Sequence, residues 1–244
     1  MSTVVSRPLW QVGLAESARC VLAVGRLAAG IGIPLAVLGV LSRVPSFRQP
    51  DPTFGGASVL DVYLPTLIVF SIGLFALTAL PTALAEHRDR GAPGGWAAVL
   101  TGRLAGTVAV SAAGTAALLA VASAGLGVPL PRQPAAFLVV LVPTVALLLG
   151  AGTLIGRLAP TPVAAQYIGT TLLAAMMFFA GLFGPVTAMH GVLRGLAEAT
   201  PLGAATQAMQ DAWQGRWPHL LPLVPLAAWT ALAVIGAVRA FRSR

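Results

Sequence analysis

The stretch Tyr63–Ala85, YLPTLIVFSIGLFALTALPTALA, sets the structural class of this chain, because it carries no charged residue over a length that crosses a bilayer. A run of about 18 or more apolar residues without charges is typical of a membrane-spanning helix. Lipid cannot hydrogen-bond to an open backbone, so such a segment crosses the membrane as a helix. The sequence therefore predicts a transmembrane protein, and the neighbouring runs decide how often it crosses.

Five further runs complete the pattern, although the first, Leu27–Leu41, reaches spanning length only by borrowing Cys20–Arg26. Arg26 would then extend toward the headgroups. We predict an all-α polytopic membrane protein in which residues 1–244 form a single transmembrane permease domain. The six predicted spans cover approximately 21–42, 63–85, 104–128, 135–156, 163–185 and 219–238.

The composition agrees with this class, since 57% of the 244 residues are hydrophobic and only 9% are charged. A soluble domain usually carries about 25% charged residues. The net charge of +8 comes from arginines scattered between apolar runs. Nucleic-acid binding needs a basic patch or stripe, so we do not expect it here.

Several kinds of chemistry are missing from the sequence. A nucleotide-binding P-loop needs a lysine, and the chain has none. Cys20 is the single cysteine, and His87, His190 and His219 lie far apart, so we expect no catalytic residue, metal site or cofactor in this chain. We therefore do not expect an enzyme. Predicted spans two to six also contain no Asp, Glu, Lys or Arg, which disfavours an ion-coupled carrier.

The arginines also indicate an orientation. With the N-terminus inside, ten of the 15 arginines lie on the cytoplasmic side, which favours cytoplasmic termini. The chain has no lysine and no asparagine but much alanine, glycine and arginine, which indicates a high-GC bacterial genome. We predict a multi-pass protein of the bacterial plasma (cytoplasmic) membrane.

Three segments outside the spans carry the informative residues. The first is a predicted interfacial helix that begins the chain; a disordered tail is the alternative. The second is a polar turn after span two, whose alternating charges suit either a docking surface or a plain solvated loop. The third runs from Pro185 to Pro218 and holds two short helical stripes, the second beginning at Thr200-Pro201. It is interpreted as two helices in the outer leaflet, or else as an ordinary loop on the headgroups.

Four features in order resemble the permease subunits of ABC-2 type exporters, especially bacterial drug- and antibiotic-resistance permeases of the daunorubicin-export kind. These are a basic amphipathic lead-in before a first span that contains Pro34, the Glu-x-Arg-x-Arg-Gly turn Glu86–Gly91, the stretch Met176–Pro185 and the stretch Leu193–Leu202. The chain departs from the family where Pro93–Trp96 replaces the usual Leu-Arg-rich stretch and Thr-Pro.

The resemblance implies a multidrug or antibiotic exporter in which two permease copies, identical or related, pair with two separate ABC ATPase subunits, surrounded by membrane lipids. ATP and magnesium would then bind to the partner ATPase. The residues implied in ATPase coupling are Glu86, His87, Arg88, Asp89, Arg90 and Gly91, with the interfacial helix represented by Trp10, Leu14, Glu16 and Arg19. The residues implied in the outer gate segment are Pro185, Leu196, Pro201, Met209 and Trp213.

The expected function is export of a small hydrophobic or amphipathic substrate, such as a drug, antibiotic or lipid-like molecule. A membrane anchor or regulatory subunit, and a self-sufficient polytopic carrier or enzyme, are the alternatives. A substrate cavity is predicted from apolar side chains that would serve equally well on a lipid-facing surface. These are Phe70, Phe75, Met176, Phe178 and Phe179.

Overall fold

The computed structural model describes residues 14, 15, 17, 24–54, 56–90, 96–184, 186 and 189–242, and within these ranges the regular structure is helical. The side chains of residues 24–28, 53 and 242 lie outside the described set. The helices are α1 Val24–Leu41, α2 Val59–Asp89, α3 Trp96–Gly125, α4 Pro134–Leu158, α5 Pro162–Phe179, α6 Gly191–Ala199, α7 Pro201–Trp213 and α8 Leu220–Arg242.

Five of these helices, α2, α3, α4, α5 and α8, are long and apolar enough to cross a membrane. Helix α1 has 18 residues. Its described apolar part, Ala29–Leu41, is shorter than the five helices that are long enough to cross a membrane. The predicted all-α polytopic class is confirmed. Helices α2 and α3 are longer than the charge-free runs, because α3 takes in the buried Arg103 and α2 takes in the charges that follow Ala85. Helix α5 is shorter than its predicted span 163–185, since it ends at Phe179.

Helix α2 lies at the centre of the bundle, and most of its side chains are buried. It begins with a capping box: the Ser58 hydroxyl accepts a hydrogen bond from the Asp61 N–H (3.2 Å), and the Asp61 carboxylate accepts one from the Ser58 N–H (2.8 Å). Each bond satisfies a backbone donor that the first turn leaves unpaired. The entry point of the central helix is therefore fixed by two neighbouring polar residues.

The middle of α2 widens into a π-helical turn at Leu74–Ala79, just before Pro81. Proline has no N–H to donate to the carbonyls four and five residues earlier, which are those of Leu77 and Ala76. Both carbonyl oxygens lie against glycines of neighbouring helices, Leu77 against Gly169 and Ala76 against Gly152. A side chain at either glycine would overlap the carbonyl oxygen, so the proline in one helix and the glycines in two others form one packing unit.

The short helix α7 is buried inside the bundle, in contact with α2, α4, α5 and α8. Ten of its 13 residues are buried, including the run Pro201–Thr206. Backbone that does not span the membrane is tolerated at depth only where protein covers it. The structure therefore has the two short helices that the sequence predicted, and it shows the second packed as part of the core rather than resting on the surface.

Candidate functional site

The charged residues Glu86–Arg90 lie at the end of the bundle where α2, α4 and α8 terminate, which we call the charged end. The sequence predicted a turn here, but α2 remains helical through Asp89, and the charges form its last turn. Basic residues in the last turn compensate the partial negative charge of the helix C-terminus. Gly91 lies outside the described residues.

Among these charged residues, Arg88 connects the end of α2 to the end of α4. Its guanidinium donates to the backbone carbonyls of Arg157 (3.3 Å), Ala159 (2.8 Å) and Pro160 (3.1 Å), which lie at and just after the end of α4. A helix leaves its last carbonyls without intrahelical partners. Arg88 therefore caps α4 from the end of α2 and holds the two helix ends together.

We expect Arg88→Met to destabilise the folded protein by about 2 kcal/mol, because three carbonyls lose a charged donor. Arg90→Met is the matched control: Arg90 is 63% exposed against 23% for Arg88, and we expect a change under about 0.5 kcal/mol. Thermal unfolding in detergent measures both. Equal melting temperatures for the two variants would contradict the capping role.

The other charged residues of this turn are more exposed. Arg90 pairs with Glu86 four residues earlier (3.0 Å), and Asp89 bonds to Arg88 (3.1 Å). Glu86, Asp89 and Arg90 are 37–63% exposed at their side chains. They form an exposed charged surface of both signs, held in place by the buried side of the same turn.

Aromatic side chains brace the charged end. Trp96, the first residue of α3, packs edge-on against His87 (centroids 5.3 Å apart) and Phe241 of α8 (6.0 Å). Arg157 of α4 lies 6.0 Å from the centroid of the Phe241 ring and donates to the Ala240 carbonyl (3.2 Å). Such ring contacts add roughly 0.5–1.5 kcal/mol beyond burial. The ends of α2, α3, α4 and α8 are therefore joined by named side-chain contacts, so a displacement of one end is resisted by the others.

The predicted interfacial helix is described only in part. Trp10, Glu16 and Arg19 lie outside the described residues, whereas Leu14 is helical and exposed. The Ser17 hydroxyl donates to the Gly102 carbonyl near the start of α3 (2.9 Å). This contact places residue 17 against the first turns of α3.

The predicted outer gate residues divide between an open and a buried environment. Leu196 on α6 is half exposed, whereas Pro201, Met209 and Trp213 on α7 are buried; Pro185 lies outside the described residues. Helix α7 is tied to α2 by Gln210, whose side-chain amide donates to the Val62 carbonyl (3.1 Å). The Thr206 hydroxyl lies nearer to carbonyls of its own helix, Leu202 and Gly203 (both 3.0 Å), than to that of Ala180 (3.2 Å).

The Thr200-Pro201 prediction is partly corrected. Thr200 stands at the N-cap of α7 and Pro201 at its first turn, as predicted. The Thr200 hydroxyl, however, donates to the Ala197 carbonyl (2.8 Å) instead of accepting from the α7 backbone. It therefore stabilises the end of α6 rather than the start of α7, since a hydroxyl rotates to the nearer partner.

We expect Gln210→Met to loosen α7 and destabilise the protein by about 1 kcal/mol, the magnitude usual for one interhelical hydrogen bond in a membrane. Gln214→Met is the control, because Gln214 follows the end of α7. Hydrogen exchange over residues 201–213 measures the effect. Unchanged exchange in Gln210→Met would show that the bond to Val62 does not hold α7.

The five predicted cavity residues do not share one environment. Phe75 is buried in α2, where its ring occupies the space beside Gly30 of α1. Phe178 is 41% exposed and packs edge-on against Phe179 (5.3 Å) near the end of α5. Phe70 and Met176 are partly buried against the core. Phe75 therefore joins two helices, and the aromatic pair stays available to a ligand or to lipid.

A cavity of about 190 Å³ lies instead between α1, the π-helical part of α2 and α5. Thr78, Thr82 and Gln166 supply its polar groups, beside Gly30. The hydroxyls of both threonines are bonded within α2, to the carbonyls four residues before them. Thr78 and Thr82 lie one turn apart in α2, and only the packing of α5 against α2 brings Gln166 beside them.

Helix α5 continues this polarity on its uncovered side. Gln166, Tyr167, Thr170 and Thr171 are all exposed in the single chain. Lipid tails offer no hydrogen bonds to an amide or phenol. This face of α5 therefore suits water or a second protein chain better than lipid.

Two comparisons with known proteins bear on these sites. A family model described as "ABC-2 type transporter" matches residues 65–212, which is more than half of the chain. The match runs from α2, before the charged end, into α7. A search of curated proteins found no match.

Proposed function

The chain belongs to the ABC-2 type transporter family, and on this premise we propose that it is the permease subunit of an exporter driven by a separate ATPase. Its cargo would be a small hydrophobic or amphipathic molecule, such as a drug, antibiotic or lipid-like compound. ATP and magnesium would bind to the ATPase partner. Two permease copies, identical or related, would enclose the pathway.

The charged end carries this proposal. Glu86, Asp89 and Arg90 offer an ATPase subunit an exposed surface of both charges, on the last turn of the central helix. Arg88 and Trp96 fix that turn to α4, α3 and α8. A push on this surface would therefore move several helices together, as coupling between ATP hydrolysis and transport requires. We place the charged end in the cytoplasm of a bacterial cell, with both termini.

The pathway is proposed to run along the polar face of α5 and the cavity at Thr78, Thr82 and Gln166. A second permease copy facing α5 would shield these groups from lipid. Helices α6 and α7 would close the opposite end, since α7 is inserted among four helices and held by Gln210. Transport requires substrate and ATP to favour different states of this assembly.

The test is reconstitution. The affinity-tagged chain is isolated from its native membrane, the ATPase that accompanies it is identified, and both are placed in liposomes. We expect ATP hydrolysis to rise with substrate and to depend on the permease. Isolation without any ABC ATPase would refute the proposal.

Two other results would favour the other functions. A stable complex whose ATPase activity does not respond to any substrate would indicate an anchor or regulatory subunit. Substrate flux through the purified chain alone would indicate a self-sufficient carrier.

A further inference from the structure

A polar recess of about 150 Å³ lies at the end of the bundle opposite the charged end. Asp61 from the first turn of α2, Trp213 from the end of α7 and Arg132 from the segment before α4 line it. Two backbone hydrogen bonds, from the N–H groups of Arg132 (3.4 Å) and Gln133 (3.1 Å) to the end of α7, fix this arrangement.

The recess holds a buried donor and a buried acceptor that are both unused. The Trp213 side chain is 3% exposed, and its indole N–H has no hydrogen-bond partner among the residues that the structure describes. One Asp61 oxygen, Oδ2, accepts two bonds from Ser58, while Oδ1 is buried and accepts none from the described part of the chain. Buried polar atoms without partners cost about 1–3 kcal/mol each, so such atoms usually have a bound partner. Arg132 adds an exposed guanidinium at the rim.

An apolar groove of about 810 Å³ adjoins this recess between α3 and α4. The segment before α4 separates the two: Leu130 and Pro131 line the groove, and Arg132 lines the recess. Phe137 of the groove packs edge-on against Trp213 of the recess, with centroids 5.8 Å apart. Sites of about 300–1,000 Å³ usually hold one small ligand. The volume of this groove therefore suits one lipid acyl chain better than a whole helix.

We propose that the recess and the groove together bind one membrane phospholipid with an ethanolamine headgroup. The phosphate would accept hydrogen bonds from the Trp213 indole and the Arg132 guanidinium, and the primary ammonium would donate to Asp61 Oδ1. One acyl chain would occupy the groove. A choline headgroup has no N–H to donate, and a glycerol headgroup brings no cation to Asp61. This site is independent of the transport proposal.

Native mass spectrometry tests the headgroup assignment. The purified chain is mixed with equal amounts of phosphatidylethanolamine, phosphatidylcholine and phosphatidylglycerol that carry the same acyl chains. We expect the ethanolamine lipid to be retained at least about tenfold better than the other two, the size of one hydrogen bond to a charged group. Equal retention of the three lipids would overturn the proposal.

Matched variants test the residues. We expect Trp213→Phe, which keeps the ring but removes the N–H, and Arg132→Gln to lower retention about tenfold. Trp217→Phe and Arg43→Gln, at exposed positions outside the recess, should retain lipid as the unmodified chain does. Arg132 is exposed, so its variant should fold even if Trp213→Phe does not. Retention that is unchanged in Arg132→Gln, or lowered equally in its control, would refute the site.

The groove is tested separately. Ala116→Trp should block the groove, whereas Ala113→Trp places the same side chain at an exposed position on α3 that does not line it. We expect only Ala116→Trp to release the lipid. Phosphoethanolamine without acyl chains should bind at least about tenfold more weakly than the lipid, because it buries no chain. Equal binding of the soluble headgroup would show that the groove takes no part and that the ligand is not a lipid.

Discussion

Replacing Gly152 with alanine is expected to abolish most of the folded protein. The added Cβ would overlap the Ala76 carbonyl oxygen in the π-helical turn of α2, and this oxygen is backbone that cannot rotate away. Overpacking alone costs about 1–3 kcal/mol, and a backbone clash that forces α4 away from α2 should reach about 3 kcal/mol or more. Gly169→Ala should act in the same way through the Leu77 carbonyl.

Gly39→Ala is the control, because no atom of the described residues lies within 4 Å of a Cβ built at Gly39 in α1. Alanine also favours helix over glycine, so this variant should be as stable as the original chain or slightly more stable. Fluorescence-detected size-exclusion chromatography after heating measures all three variants. If Gly152→Ala survives heating as well as Gly39→Ala, the close approach between α4 and α2 is wrong.

Reversing one charge at the charged end should uncouple the permease from its ATPase. In Arg90→Glu the last turn of α2 would present Glu86, Asp89 and a new carboxylate together, with no cation to meet an acidic group on the partner. Like charges facing each other across an interface cost several kcal/mol. We expect at least tenfold weaker ATPase association, and loss of substrate-stimulated ATP hydrolysis.

Arg194→Glu provides a closely matched control. Arg194 on α6 pairs with Glu198 at 2.8 Å and Arg90 pairs with Glu86 at 3.0 Å, both pairs span four residues, and the two arginines are 53% and 63% exposed. The loss of helix stability should therefore be similar, at about 0.5 kcal/mol. Arg88 stays intact in both variants, so α4 keeps its cap. Equal ATPase association in the two variants would mean that the Arg90 surface does not dock the partner.

Sequence reasoning found the spans because their signal is local. A charge-free run such as Tyr63–Ala85 needs no tertiary contact to indicate a membrane helix. The charged cluster was also visible, as was the helical pair between spans five and six. The sequence did not show that the residues of this cluster have different roles. Arg88 and Arg90 stand two residues apart, yet Arg88 caps α4 and Arg90 faces outward.

The reason for that division is helical geometry. Successive residues point about 100° apart around a helix, so their environment depends on which neighbour lies on each side. The extension of α2 through Asp89 turns Arg88 toward α4. A turn at Glu86, as predicted, would have left both arginines in solvent. The polar recess at Asp61 and Trp213 was missed for a similar reason, since these residues lie far apart in the chain.

The sequence alone determined that this protein is an all-helical membrane protein, because the length of its hydrophobic runs indicates the spans. The order of charged and apolar segments also indicated which segments between the spans hold the candidate functional residues. Only the tertiary structure decided which residues act together. Pro81 has no N–H to donate to the carbonyls of Ala76 and Leu77 in α2. Whether Gly152 and Gly169 lie against these carbonyls depends on how three helices pack. Burial of α7 likewise depends on a space among four other helices, because a segment of 13 residues cannot supply its own cover.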